Sequence, residues 1–214
     1  MTMGPSDSWL EERLFERRMV LCRGVLDDVL AGRVAAQLMT LDALGDGAVE
    51  LQLDSERASL EAAWTVVDVI DLLGVPVNIV CAGRVEGAAI AVSTAGTRRT
   101  ALPHTRFRLT DPELEISGRT SELAALLDRH TARIERLHER VALSTGRPAG
   151  EVAADFRAGR VLDAGEALRY RLVDEIAGDK PAVRSINSTR RHAVHPKRSE
   201  RTEPLGFRPG PRNP

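Results

Sequence analysis

The sequence predicts a single α/β domain of repeated βαβ-type units, with parallel strands inside and helices outside. Three observations carry that expectation. Short β-rich apolar runs at residues 19–22, 49–53 and 75–80 alternate with amphipathic helical stretches at 33–44 and 60–73. The run at 75–80 (VPVNIV) leads into residues 81–96 (CAGRVEGAAIAVSTAG), where a turn opened by Gly83 passes into mostly small residues from Gly87 to Ala91 that begin a helix. Such a helix start points free N–H groups at whatever lies above the turn, which is the geometry of a site. Finally, 214 residues with 43% hydrophobic content can bury one sizeable core, and nothing marks a second.

Composition narrows the function. Lysine occurs only at Lys180 and Lys197, so 28 of the 30 basic residues are arginine, which points to a high-GC coding sequence more than to a nucleic-acid surface. The net charge of -1 agrees, since a nucleic-acid binder carries a basic excess or stripe. Cys22 and Cys81 lie in apolar strand-like runs and read as buried free thiols of a reducing compartment, not as a disulfide or metal site. No apolar leader core opens the chain, and no run reaches the ~18 apolar residues of a membrane span. The expectation is a cytoplasmic protein with no cofactor, no metal, and neither nucleic acid nor membrane as partner.

Taken in order, residues 1–8 are polar and expected to be mobile. Residues 9–18 (WLEERLFERR) set Leu10, Leu14 and Phe15 at helical spacing between charges, a short amphipathic helix suited to an assembly surface. A first strand at 19–22, a helix at 33–44 and a strand at 49–53 follow. The connector Asp54-Ser55-Glu56-Arg57-Ala58-Ser59 comes next, with Ser59 placed to cap the following helix and Glu61 in its first turn. That helix, 60–73, lines up Ala63, Val66, Val67, Ile70 and Leu73 on one face, and Gly74-Val75-Pro76 breaks it. After the central stretch, Arg98 and Arg99 lead into a strand within 101–112. Residues 121–143 form a long helix, with Leu123, Leu126, Leu127, Ile134, Leu137 and Val141 at near-helical spacing. His130 and His138 stand on it eight residues apart with no third ligand, so they read as solvated positions rather than a metal site. Ser144-Thr145-Gly146 closes it. Residues 179–214, rich in Pro, Ser, Asn and Arg, have too few apolar side chains to fold and are expected to be a disordered tail.

Over residues 9–178 these stretches resemble the Clp protease proteolytic subunit (ClpP) family, self-compartmentalised serine peptidases of crotonase-like fold with a handle helix for ring–ring contact. The family's G-x-x-A-S-M-G/A turn presents its serine, and here Gly83-Arg84-Val85-Glu86-Gly87-Ala88-Ala89 occupies that frame. Gly87 stands at the nucleophile position, and a glycine has no oxygen to attack a carbonyl. The family's N-S-P-G-G-S segment, whose paired glycines serve the oxyanion, corresponds to residues 54–59, where Arg57 and Ala58 replace both glycines. With Ala88 beside the turn, the oxyanion region is expected to be degraded. The strand "L-P-N-S-R-x-M-I-H-Q-P" matches at Leu102, Pro103, Arg106 and Pro112, but its histidine base falls on Thr110, which takes no proton near neutral pH. Residues 113–117 occupy the handle. The pattern D-x-x-R-D-R-F-L-S-A-x-E-A matches at Asp155, Arg160, Leu162, Ala164, Glu166 and Ala167, while its orienting aspartate falls on Gly159. Tyr170, Leu172, Val173 and Asp174 fix the register.

The resemblance therefore implies a non-catalytic, ClpR-like subunit that keeps the fold and joins a heptameric or tetradecameric ring, with an active ClpP paralogue and an AAA+ Clp chaperone as partners. In the tail, Leu205-Gly206-Phe207 resembles the aliphatic-Gly-Phe tripeptide by which Clp chaperones dock, and is a candidate chaperone mimic. Against this stands an active serine endopeptidase with a relocated site, drawn from Ser55, Ser59 or Ser93, His104, and Asp54 or Asp111. A third reading is an acyl-ligand binder, which would need an enlarged apolar pocket where the triad was.

Overall fold

The computed structural model describes residues 5–112 and 120–178. The expected handle at 113–117, the tail at 179–214 and its Leu205-Gly206-Phe207 lie outside the described residues. The chain runs α1 (Pro5–Glu16), β1 (Met19–Leu26), α2 (Asp28–Ala43), β2 (Val49–Ala58), α3 (Leu60–Leu72), β3 (Val77–Glu86), α4 (Ala89–Ser93), β4 (Arg98–Ala101), β5 (Arg106–Arg108), α5 (Thr120–Thr145), α6 (Ala149–Arg157), β6 (Val161–Asp163), α7 (Ala164–Tyr170) and β7 (Glu175–Ile176). The strands form one sheet in the order β1-β2-β3-β4-β7, and every pairing along that path is parallel. This is the α/β arrangement the alternation of strand and helix patterns predicts.

The core lies where period-2 strands meet period-3.6 helices. Val20 and Cys22 of β1, Val49, Leu51 and Leu53 of β2, and Val77, Ile79 and Cys81 of β3 alternate inward and are buried. Leu30, Val34, Leu38 and Leu41 on α2 and Ala63, Val66, Val67 and Ile70 on α3 join them, as the helical spacing predicts. Each fully buried Leu or Ile contributes roughly 1.5–3 kcal/mol. Ser59 caps α3, its side chain accepting from Ala62 N at 3.0 Å, with Glu61 in the first turn as expected. Asp42 Oδ1 accepts the N–H groups of Gly74 and Val75 at 3.0 and 3.1 Å, pinning the end of α2 to the turn into β3.

Several boundaries differ from expectation: β1 runs on to Leu26, past the expected end at 22, and α2 begins at Asp28 rather than 33, capped by Asp27. Helix α1 begins at Pro5, within the segment expected to be mobile. Residues 54–58 are not a connector: β2 runs on through them, with Val25↔Arg57 and Leu26↔Ala58 in register on β1. The turn expected at Gly83 is instead a bulge inside β3. There the register with β2 steps from Leu53↔Cys81 to Ser55↔Val85. Gly83 takes φ +52°, and a Cβ on it would stand 2.4 Å from Asp54 Oδ1, which accepts the N–H of Arg84 at 3.0 Å. Any other residue would have to displace that carboxylate and hold a left-handed backbone.

The bulge matters for what lies beyond it. It splits β3 into a lower half paired with β4 and an upper half paired with β5, Arg84↔Arg106 through Glu86↔Arg108. Strand β5 in turn pairs antiparallel with β6. Upper β3, β5 and β6 together carry the candidate site.

Candidate functional site

Gly87 closes β3 and opens α4 with φ +57°, a conformation glycine adopts freely and other residues resist. Its N–H donates to Arg108 O at 3.1 Å, which ties the turn to the end of β5. A Cβ built on Gly87 would lie 3.5 Å from Thr110 O and 3.8 Å from Thr110 Cγ2, ordinary contact distances. The positions read as nucleophile and base are thus neighbours, one residue beyond the end of β3 and two beyond the end of β5.

The third position joins them. Leu109 N donates to Arg160 O at 2.8 Å, which brings the α6–β6 turn against the exit of β5. Gly159 sits in that turn at φ +63° as the helix stop of α6, its N–H donating to Phe156 O while Arg160 N reaches Asp155 O. A Cβ there would stand 3.8 Å from Arg108 Nη2. Gly87, Thr110 and Gly159 therefore meet around Arg108 and Leu109. Neither glycine bears a side chain, and the threonine hydroxyl is no base near neutral pH. The charge at the centre is the guanidinium of Arg108, 4.0 Å from a carboxylate oxygen of Glu86. Arg108 was missed by the sequence reading, although Arg106-Phe107-Arg108 alternates out-in-out and places it on the same face as Glu86.

The turn that bears Gly159 is firmly held. Tyr170 OH donates to Asp155 Oδ2 at 2.9 Å, Asp155 also receives Arg160 Nη1 at 3.0 Å, and the Arg147 guanidinium lies 4.0 Å from the Tyr170 ring centre. Burial, reinforced by the Asp155 carboxylate, pushes the Tyr170 phenol above its ordinary range. At the other end of the turn, Asp163 and Glu166 form a capping box for α7.

The expected oxyanion region is the end of β2, where the register shifts against both β1 and β3. Arg57 is exposed and Ala58 half-buried; Ser55 Oγ donates to Arg57 O at 3.0 Å, and Glu56 forms an ion pair with Arg84. Ala88 is buried and right-handed at the start of α4. No paired glycines here let a second backbone approach.

The residues of a relocated site do not converge. Ser55 bonds within its own strand, Ser59 caps α3, and Ser93 is buried in α4 with Oγ donating to Ile90 O at 2.7 Å. His104 is exposed in the loop between β4 and β5, and Asp54 caps the β3 bulge. Asp111 is engaged by a residue read as solvated: His138 is only 8% exposed, its Nε2 is 2.8 Å from Asp111 Oδ1, and its ring lies 4.8 Å from that of Phe156. His130 also turns inward, with Nε2 3.2 Å from Pro112 O. Both histidines thus grip consecutive residues of the β5 exit, and the solvated reading is corrected. Spacing along one helix excluded a metal but could not reveal partners on a distant strand.

Cys22 and Cys81 are buried free thiols as expected, and burial pushes both up to about 12. They share a row of the sheet on either side of Leu53. Among the described residues no cluster of three His, Cys, Asp or Glu side chains could hold a metal, and no helix is long and apolar enough to cross a membrane.

Known proteins agree with the resemblance. The family model described as Clp protease matches residues 6–180. The chain is 30% identical over 184 residues to ATP-dependent Clp protease proteolytic subunit 2 of Thermobifida fusca, covering 85% of this chain and 91% of the relative. It is 31% identical over 179 residues to proteolytic subunit 2 of Gluconobacter oxydans, covering 82% and 80%. To an ATP-dependent Clp protease proteolytic subunit-like protein of Streptomyces coelicolor it is 36% identical over 172 residues, covering 77% and 80%. With this match across nearly all of its described residues, and the α/β sheet that goes with it, the chain belongs to the Clp protease family.

Proposed function

We propose that this chain is a catalytically inactive subunit of a Clp-type ATP-dependent protease assembly, acting by structure or regulation rather than by hydrolysis. The observation that carries the reading is Gly87: a residue without an oxygen occupies the left-handed turn between β3 and α4. Thr110 and Gly159 beside it offer neither a base nor an acid to orient one. A subunit can lose its chemistry and keep its assembly surfaces, because the two reside on different residues. On this reading residues 9–178 supply the ring-forming domain, and an active paralogue supplies turnover in a mixed heptameric or tetradecameric ring served by a Clp chaperone in the cytoplasm.

The test is recovery of the tagged full chain from its own cells, with native mass determination and a fluorogenic peptide assay on the same eluate. The expected result is a mixed ring whose activity tracks the paralogue. Recovery of a homomeric assembly that cleaves peptide overturns the proposal.

A further inference from the structure

Upper β3, β5 and β6 present one open face, and their registers fix its contents. Arg84, Arg106 and Asp163 form one row across the three strands, and Glu86, Arg108 and Val161 form the next. Val85, Phe107 and Leu162 lie between the rows, point the other way and are buried. Arg84 and Arg106 are therefore register neighbours of like charge, an arrangement that repels. The acids nearby are already engaged: Glu56 pairs with Arg84, and Asp163 caps α7. Among the described residues the Arg106 side chain has neither a hydrogen bond nor an ion pair.

Arg108 has its donors aimed. Its Nη1 is 4.0 Å from Glu86 Oε2, close enough to orient the group and too far for a hydrogen bond. The other edge of the guanidinium faces Gly159, with Nη2 and Nε 3.8 and 3.9 Å from where a Cβ on that glycine would stand. The N–H groups of Nε and Nη2 are parallel and form the fork that grips a carboxylate through both oxygens. Glycine at 159 leaves that fork uncovered. Gly87, whose built Cβ would meet only Thr110, leaves the adjoining turn clear as well.

We propose that this face holds an acidic peptide segment in extended form, with the carboxylates of its residues i and i+2 on Arg108 and Arg106. Alternate side chains of a strand stand about 6.6 Å apart, and an extended ligand has the same spacing. Val161, 50% exposed beside Arg108, gives such a ligand an apolar contact next to the charge. The inference rests on the non-catalytic reading and deepens it, because a site without nucleophile, base or orienting acid leaves a bound peptide intact.

The test uses the purified full chain and a dye-labelled peptide with blocked ends in which glutamate alternates with alanine. Binding is read by fluorescence anisotropy, and the mass of the peptide is measured after each titration. The expected result is saturable binding that weakens as salt is raised and vanishes when glutamine replaces glutamate in the peptide. Arg108→Gln and Arg106→Gln should each raise Kd roughly three- to fivefold, as loss of an exposed charge pair does. Arg136→Gln removes the same charge from an exposed position on α5 and should leave Kd unchanged. Gly159→Asp should weaken binding more than Gly159→Asn, because both fill the same space and only the aspartate occupies the fork with a charge. Circular dichroism checks the fold of each variant. Failure to bind, equal binding of the glutamine peptide, equal losses in Arg136→Gln and Arg108→Gln, or equal effects of aspartate and asparagine at 159 would each overturn the inference and leave the non-catalytic reading in place. A peptide found cut would overturn the non-catalytic reading, and with it the retention inferred from it.

Discussion

At Gly87 two demands meet in one residue: a left-handed backbone and, in a serine peptidase, a nucleophile. The left-handed conformation costs a non-glycine residue roughly 1–2 kcal/mol. Gly87→Ser should therefore lower the urea midpoint modestly. It should also leave fluorogenic peptide hydrolysis at background, because Thr110 and Gly159 still provide no proton acceptor or orienting acid. Turnover by that single variant would contradict the account of the site. Gly83 makes a sharper structural demand. Gly83→Ala would drive a methyl to 2.4 Å from Asp54 Oδ1 and should destabilise by at least about 2 kcal/mol, while adding Asp54→Ala should recover part of the loss, measured as a double-mutant cycle in urea. The residues on which the proposed loss of chemistry rests, Gly87, Thr110 and Gly159, stand in the sequence itself. What was not legible is that Gly159 also stops α6, and that Asp111 is held by His138 from 27 residues away.

Among the elements, β1 to β3 and α2, α3 follow from periodicity because a half-buried strand and an amphipathic helix each write their period into the chain. Strand ends are harder to read. Residues 54–58 carry Asp, Ser, Glu and Arg, and only their pairing with β1 makes them a strand. The buried thiols give the sheet a chemical signature. Cys22 and Cys81, raised to about 12 from an unfolded value near 9, remain neutral in the folded sheet. Because the folded value is the higher, the stability they contribute is full below about pH 9 and is lost as pH rises from there toward about 12. A thiol reagent at pH 8 should accordingly label neither cysteine in the native protein and both in urea. Rapid labelling of the native fold would show that the sheet opens locally. At the edge between β4 and β7, the Arg99 guanidinium holds the Asp174 carboxyl below its usual range, and Asp174 also accepts the backbone N–H of Arg99 at 2.8 Å. The depressed folded value means this pair stabilises above about pH 4 and fades as pH falls further. Arg99→Met should flatten that acid limb of the stability profile, with solvent screening keeping the change small because Asp174 is largely exposed.

For the molecule as a whole, the α/β sheet and its helical cover are those of the family, while the three positions that the resemblance reads as nucleophile, base and orienting acid are Gly87, Thr110 and Gly159, with Arg108 beside them. The family was legible from sequence because closely spaced motifs such as the one around Asp155, Arg160 and Glu166 serve the fold itself: Asp155 holds Tyr170 and Arg160, and Glu166 caps α7. The central claim is absence of catalysis, and it is tested most directly on the purified full chain by a fluorogenic peptide assay run beside labelling with a serine-directed fluorophosphonate. The account predicts background turnover and no covalent label; turnover that disappears as the probe attaches would establish a nucleophile elsewhere in the fold and contradict it.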